Sequence, residues 1–238
     1  MENKTAVIIG ADGRLNGLLA EAMIQRGVTA VTLTEAGEPM PQNCESHTYA
    51  SQEELLALCE RITRERGAAD YLVCSVLAHP AERKGRLHET DTQDWQDAKR
   101  DSVDMLYNVS RVLIASMAQR GRGRVLFIGA LGGAMCAAGQ SVSSAMSAGL
   151  VTFTQSVAAE GGAQGISANA LLLGPMADCI GGMGADERLI AHIPQKRLGR
   201  AEEAVSVAVY TLLDAPDYFS GNALQLDGAL TSAFMRDW

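Results

Sequence analysis

The sequence predicts a doubly wound α/β domain spanning residues 1 to 238, a parallel sheet with helices on both faces. Two observations carry this reading. Strand-like and helix-like segments alternate from end to end, at a spacing that right-handed crossovers convert into a parallel sheet. The 238 residues also suffice for one well-buried core: 47% are hydrophobic, only 5% aromatic, and no stretch reads as a linker, repeat or low-complexity segment.

The first strand is Ala6-Val7-Ile8-Ile9, followed by a helical pattern from about Leu15 to Arg26. A second strand, Ala30 to Thr34, leads through a polar loop to a helix announced by Ser51 with Glu54 three residues on. That pair is a capping box, which satisfies two otherwise free amide donors. Tyr71 to Leu77 is the next buried strand. A long helix from about Thr92 to Arg120 precedes the strand Arg124 to Ile128 and a Gly/Ala-rich turn. Ser143 to Glu160 is a helix whose small residues Ser144, Ala145, Ala148 and Gly149 admit a close neighbour. The strand Ile166 to Leu173, the helix Ala201 to Leu213 and the strand Ala223 to Leu226 complete the series.

Charge and composition exclude several functions. A formal charge of -8 argues against a nucleic-acid partner, which needs a concentrated basic surface. The densest basic cluster, Arg120, Arg122 and Arg124, closes a helix, where cations favour the carboxyl end. No apolar run is long enough to span a membrane. Cys44, Cys59, Cys74, Cys136 and Cys179 are odd in number and show no C-x-x-C spacing. With no leader-like segment, they imply a reducing cytoplasm. His47, His79, His88 and His192 lack the spacing of a zinc site, so no metal is expected.

The turn after the first strand reads Gly10-Ala11-Asp12-Gly13-Arg14-Leu15-Asn16. Beyond it come Trp95, Gly123-Arg124, Ala148-Gly149-Leu150, Asn169-Ala170, Gly174-Pro175 and Arg197-Leu198-Gly199-Arg200 with Glu202-Glu203. Gly221 and Asp227-Gly228 follow. In order and spacing these residues resemble the short-chain dehydrogenase/reductase family over almost the whole chain, and most nearly its ketoacyl and hydroxyacyl reductase branch. The resemblance implies a Rossmann-like fold, in which glycines of a T-G-x-x-x-G-x-G loop let the backbone approach a dinucleotide pyrophosphate at a helix N-terminus.

This chain departs from that pattern at the nucleotide contacts. Only Gly10 stays in register; Arg14 and Asn16 take the other two glycine positions, and Ile9 replaces the threonine. The family aspartate after the third strand aligns with Thr48, and the N-N-A-G segment reads Cys74-Ser75-Val76-Leu77. Asp178 stands where a threonine meets the nicotinamide end. Asp178 and Asp12 would repel a pyrophosphate. Arg14 could instead be a phosphate ligand, and Glu35 could grip a ribose hydroxyl, although a solvated acid is the simpler reading of Glu35. Arg14 and Asp178 face one site in the family and are expected to pair.

The chemical positions depart as well. The resembling enzymes use an Asn, a Ser, a Tyr and a Lys; the lysine, one helical turn after the tyrosine, lowers a phenol pKa that is otherwise near ~10. Register from Trp95 and Gly123-Arg124 places Ser102, Ala130, Ser143 and Ser147 at those four positions. Asn108 is out of register and reads as a polar helix residue, exposed or capping locally. Ser143 and Ser147 share a helical face, but a serine hydroxyl without an activating partner is neither a usable acid nor a base at neutral pH.

The long helix, the Ser143 to Glu160 helix and the carboxyl-terminal segment keep the family's patterning, and in the family these are assembly surfaces. The resemblance therefore implies a catalytically silent subunit with no cofactor of its own. Its partner would be a catalytic, NAD(P)-binding relative in a hetero-oligomer, expected to be a tetramer acting on hydroxyacyl or ketoacyl compounds. Some dehydrogenases of the family that act on acyl-CoA compounds look like such active-plus-inactive pairs, among them the hydroxybenzylsuccinyl-CoA enzyme of anaerobic toluene breakdown. Phe234 to Trp238 is a candidate reach towards the partner. A ligand-sensing protein and an active oxidoreductase with unconventional residues are the alternatives. The glycine-rich loop from Met176 to Ile193 carries no expectation of order.

Overall fold

Seven parallel strands lie in the order β3-β2-β1-β4-β5-β6-β7 in the computed structural model, which describes residues 4–10, 12–38, 41–42, 44–76, 86–136, 138–178 and 187–233. The strands are β1 (Thr5–Gly10), β2 (Thr29–Glu35), β3 (Glu45–Tyr49), β4 (Tyr71–Ser75), β5 (Gly123–Ala130), β6 (Ile166–Leu173) and β7 (Ala223–Leu226). The helices are α1 (Gly13–Gln25), α2 (Gln52–Arg66), α3 (Thr92–Lys99), α4 (Met105–Arg120), α5 (Ser141–Gly161), α6 (Glu187–His192) and α7 (Ala201–Val209).

Side-chain alternation along the strands divides the core into two layers. Val7 and Ile9 point to one face, where Leu55, Cys59 and Ile62 of α2, Leu106, Val109, Leu113 and Met117 of α4 and Leu150 of α5 cover them. Ala6 and Ile8 point to the other, beneath Leu15, Leu19 and Met23 of α1 and Ala204, Val205 and Ala208 of α7. Each large side chain taken out of water contributes about 1.5–3 kcal/mol, so these stripes fix which face each helix presents.

Helix ends follow the expected chemistry. The Ser51 hydroxyl accepts from the Glu54 amide while Glu54 Oε2 accepts from the Ala50 amide, so the acid reaches one residue further back than a capping box requires. Gly121 closes α4 at φ +76, a left-handed conformation that a side chain would strain. Arg120 donates to the carbonyls of Ala68 and Ala69, and Arg124 to those of Leu212 and Ala215. The basic cluster thus ties loop carbonyls together.

Four expectations are corrected. The stretch read as a polar loop contains β3, an edge strand whose Glu45, Ser46 and His47 are only half-buried and carry no apolar alternation. The long helix is interrupted by a π-helical turn at Arg100–Asp104, and the last helix ends in a second such turn at Tyr210–Asp214. β4 stops at Ser75, and Leu77 lies outside the described residues. Asn108 is no local cap: its amide donates to Gln52 Oε1 at 3.2 Å, joining α4 to the start of α2. Ala11, His79, residues 179–186 of the glycine-rich loop with Cys179, and Phe234 to Trp238 also lie outside the described residues.

Candidate functional site

The strand order reverses between β1 and β4, which opens a crevice beyond their carboxyl ends, the usual ligand position of doubly wound sheets. Gly10, at the end of β1, is in register with Ser75 at the end of β4. Its φ is +154, and a Cβ there would lie 2.7 Å from the Ser75 carbonyl oxygen, so only glycine fits.

The turn that follows is filled by its own side chains. Asp12, 1% exposed, caps α1 by accepting from the Leu15 amide at 2.8 Å. Asn16 is equally buried and donates to the Gly10 carbonyl at 2.9 Å. Arg14 Nη2 lies 2.9 Å from Asp178 Oδ2 and 3.3 Å from Glu202 Oε1. The other oxygen of Asp178 accepts from the Ala201 amide at 2.9 Å, at the start of α7. The expected pairing of Arg14 with Asp178 is therefore present, and Glu202 joins it. Sequence reasoning missed Glu202, which the register flags only as part of a motif. It also missed the capping role of Asp12, which an Asp just before a helix signals.

Thr48 lies within β3, not after it, and its side chain is exposed. Tyr49 is the residue of that strand that turns inward, and with Glu35, Ser75, Arg100, Asp101 and Met105 it lines a cavity of about 490 Å³. Burial pushes the Tyr49 phenol well above its ordinary range, and its hydroxyl faces Met105 Sδ at 3.9 Å. It is therefore a neutral wall at any physiological pH. The Ser75 hydroxyl is buried with no hydrogen-bond partner among the described residues.

The four chemical positions come from the interrupted helix, the end of β5 and α5. Ser102 sits in the π-helical turn, buried, and donates to the Ala98 carbonyl one turn back. Ala130 ends β5. Ser143 donates to the Gln140 carbonyl at 3.2 Å, and Ser147 is buried on the next turn of α5. Gly132 and Gly133 pack so closely on α5 that added Cβ atoms would lie 3.1 Å from Ser144 Cα and 2.7 Å from the Ser147 carbonyl. Ala98, Val142 and Met146, with Val103, form a small apolar cluster where α3 and the π-helical turn meet α5. Among the described residues no group of His, Cys, Asp or Glu is arranged to hold a metal. No described helix is long and apolar enough to cross a membrane.

Residues 21–231 match the family model described as enoyl-(acyl carrier protein) reductase. Among curated proteins, the chain is 26% identical to the 3-oxoacyl-(acyl-carrier-protein) reductase FabG of Salmonella typhimurium, over 96% of this chain and 98% of that one. It is 26% identical to nodulation protein G of Azospirillum brasilense, over 97% and 99%. Among solved structures, a gluconate 5-dehydrogenase from Burkholderia cenocepacia in complex with NADP and tartrate superposes with a TM-score of 0.86 at 22% identity, covering 98% of this chain and 97% of that one. Levodione reductase gives 0.86 at 19% identity, covering 97% and 98%. At these identities the structural likeness establishes the fold.

Proposed function

The chain belongs to the enoyl-(acyl carrier protein) reductase family of short-chain dehydrogenases/reductases, and on that premise we propose that it is a catalytically silent subunit. It supports a catalytic relative in a hetero-oligomeric, NAD(P)-dependent hydroxyacyl or ketoacyl dehydrogenase. The observation that carries this reading is the state of the four chemical positions. Ser102 and Ser143 donate back to carbonyls of their own helix region, Ala130 has no polar atom, and Ser147 supplies no cation. A carbonyl reduction needs a proton donor of matched acidity, and no tyrosine or lysine stands at these positions.

The cofactor reading follows the same lines. A dinucleotide pyrophosphate requires bare backbone at a helix N-terminus. Here Asp12 takes the Leu15 amide of α1, the Arg14 side chain stands where the family has a glycine, and Asp178 adds a second carboxylate. These residues do not fit NAD(P), so the cofactor is assigned to the partner subunit. A reducing cytoplasmic setting, expected from the odd cysteine count and spacing, belongs to the same proposal.

The test is recovery of the tagged chain from its own cells, followed by native mass spectrometry and a reductase assay of the same eluate. A hetero-tetramer with a relative that keeps the Tyr and Lys is expected, inactive once this chain is isolated. A homo-oligomer that turns over alone would overturn the proposal.

A second reading is favoured by the reductase names of the relatives, which match over almost the whole chain. In it the chain is itself a 3-oxoacyl reductase that uses Ser143 in place of tyrosine. NADPH oxidation abolished by Ser143→Ala would establish it.

A further inference from the structure

We infer that a second cavity, at the amino-terminal edge of the sheet and so at the opposite end from the crevice, binds a small carboxylate with an apolar body. It measures about 880 Å³ and lies over the starts of four adjacent strands, β1, β4, β5 and β6. That volume suits a small molecule. Tyr71, Arg124 and Ser167 are register neighbours on β4, β5 and β6, so their side chains stand in one row on one face, about 4.8 Å apart. The Lys4 ammonium extends the row, 5.8 Å from the centre of the Tyr71 ring. An ammonium, an aromatic ring, a guanidinium and a hydroxyl thus follow one another along the cavity.

Charge decides the class of ligand. Three cations, Lys4, Arg122 and Arg124, line the cavity against two carboxylates, Asp70 and Asp217, an excess of one positive charge on a chain of net charge -8. Asp70 is already engaged: it is buried, accepts from the Thr5 amide at 2.9 Å and lies 3.3 Å from Arg120 and 3.5 Å from Arg122. Arg124 donates through Nη1 to the Leu212 and Ala215 carbonyls, and its Nη2 holds Asp217. The Asp217 side chain is 96% exposed, so that pair is solvated and readily exchanged. Lys4 meets the Tyr71 ring and no carboxylate among the described residues. An incoming carboxylate therefore finds Lys4 uncommitted and competes with Asp217 for Arg124. With Asp217 still near by, one carboxylate balances the cavity, whereas a phosphate dianion overshoots it. Leu213 and Ala158 supply apolar walls, and the fully exposed Tyr218 ring is a further lining group that an apolar body would cover.

The cavity is separate from the four chemical positions, so the inference does not rest on the proposed reading. Titration calorimetry on the full chain tests it with three probes: hexanoate, hexanamide, which keeps the shape without the charge, and inorganic phosphate, which keeps a charge without the apolar body. Hexanoate is expected to bind at about 1 mM or below, and at least tenfold more tightly than either control. Lys4→Gln, at an exposed position, is expected to weaken hexanoate at least threefold. Asp217→Asn, also exposed, removes the competing carboxylate and is expected to tighten hexanoate at least threefold. A gain of affinity does not come from damage to the fold, so the two variants together separate a site from a general loss of structure. No binding of hexanoate, equal binding of hexanamide or phosphate, or an affinity for hexanoate that either variant leaves unchanged would overturn the inference.

Discussion

Arg14 and Asp178, 164 positions apart in the sequence, are joined by an ion pair of 2.9 Å, and the second oxygen of Asp178 caps α7 at the Ala201 amide. One carboxylate thereby ties the turn after β1 to the segment after β6, across the mouth of the crevice. The two bonds differ in value. Arg14 is 55% exposed, so the ion pair contributes about 0.2–1 kcal/mol, whereas loss of a helix cap costs about 0.5–2 kcal/mol.

Asp178→Ala should therefore destabilise the chain by about 1–2 kcal/mol in urea unfolding, and Arg14→Ala by less than about 1 kcal/mol. Asp178→Asn, which keeps a capping oxygen, should fall between them. A double-mutant cycle that gives an Arg14–Asp178 coupling well above 1 kcal/mol would show that the pair is more than a surface contact.

Gly10→Ala should cost about 1–3 kcal/mol, as overpacking does, because its Cβ would meet the Ser75 carbonyl oxygen at 2.7 Å and Ser75 Cβ at 2.8 Å. Gly37→Ala, also at positive φ but with nothing near its Cβ position, should lose only the backbone term. Thermal or urea denaturation of the pair separates steric crowding from backbone strain.

Thiol chemistry should follow burial. Cys136 is exposed and should be alkylated rapidly in the native chain, while Cys59 and Cys74, pushed up to about 12 by burial, should be spared until unfolding. The same shifts set a pH dependence. A thiol whose folded pKa lies above its unfolded value, about 8.5, binds more protons when folded between those limits. Stability from this source is complete below about pH 8.5 and declines as pH rises towards about 12. Peptide mapping after alkylation and urea midpoints at pH 8 and 10 check both statements.

Glu203 has the opposite sign. The Arg197 guanidinium beside it holds its carboxyl down at about 2. The stability it contributes is present above the usual carboxylate range and is lost as pH falls through that range towards about 2. The pair is largely solvated, so Glu203→Gln should lower stability at pH 7 by less than about 1 kcal/mol and flatten the acid limb of the stability curve.

The sequence was most legible where periodicity met burial. The apolar runs of β1, β4, β5 and β6 are buried on both faces, and they carried the parallel sheet without ambiguity. β3 escaped because an edge strand with Glu45, His47 and Thr48 has no apolar face to display. The π-helical turn at Ser102 was invisible because one extra residue in a helical turn leaves the composition of the stretch unchanged. At the candidate site, register located Arg14 and Asp178 and anticipated their contact. Glu202 could not be found that way, since its role depends on where the α7 N-terminus packs relative to α1. Thr48 was placed one step past its strand, which hid Tyr49 as the residue facing the cavity.

The most direct test of the silent-subunit account is the rate of NADPH and NADH oxidation by the isolated chain with a 3-oxoacyl thioester at saturating concentration. Enzymes of ordinary competence turn over at about 1–1,000 per second. The account predicts no rate above the uncatalysed background at any pH between 6 and 9. Steady turnover on the enzymatic scale by the isolated chain, lost on Ser143→Ala, would contradict it.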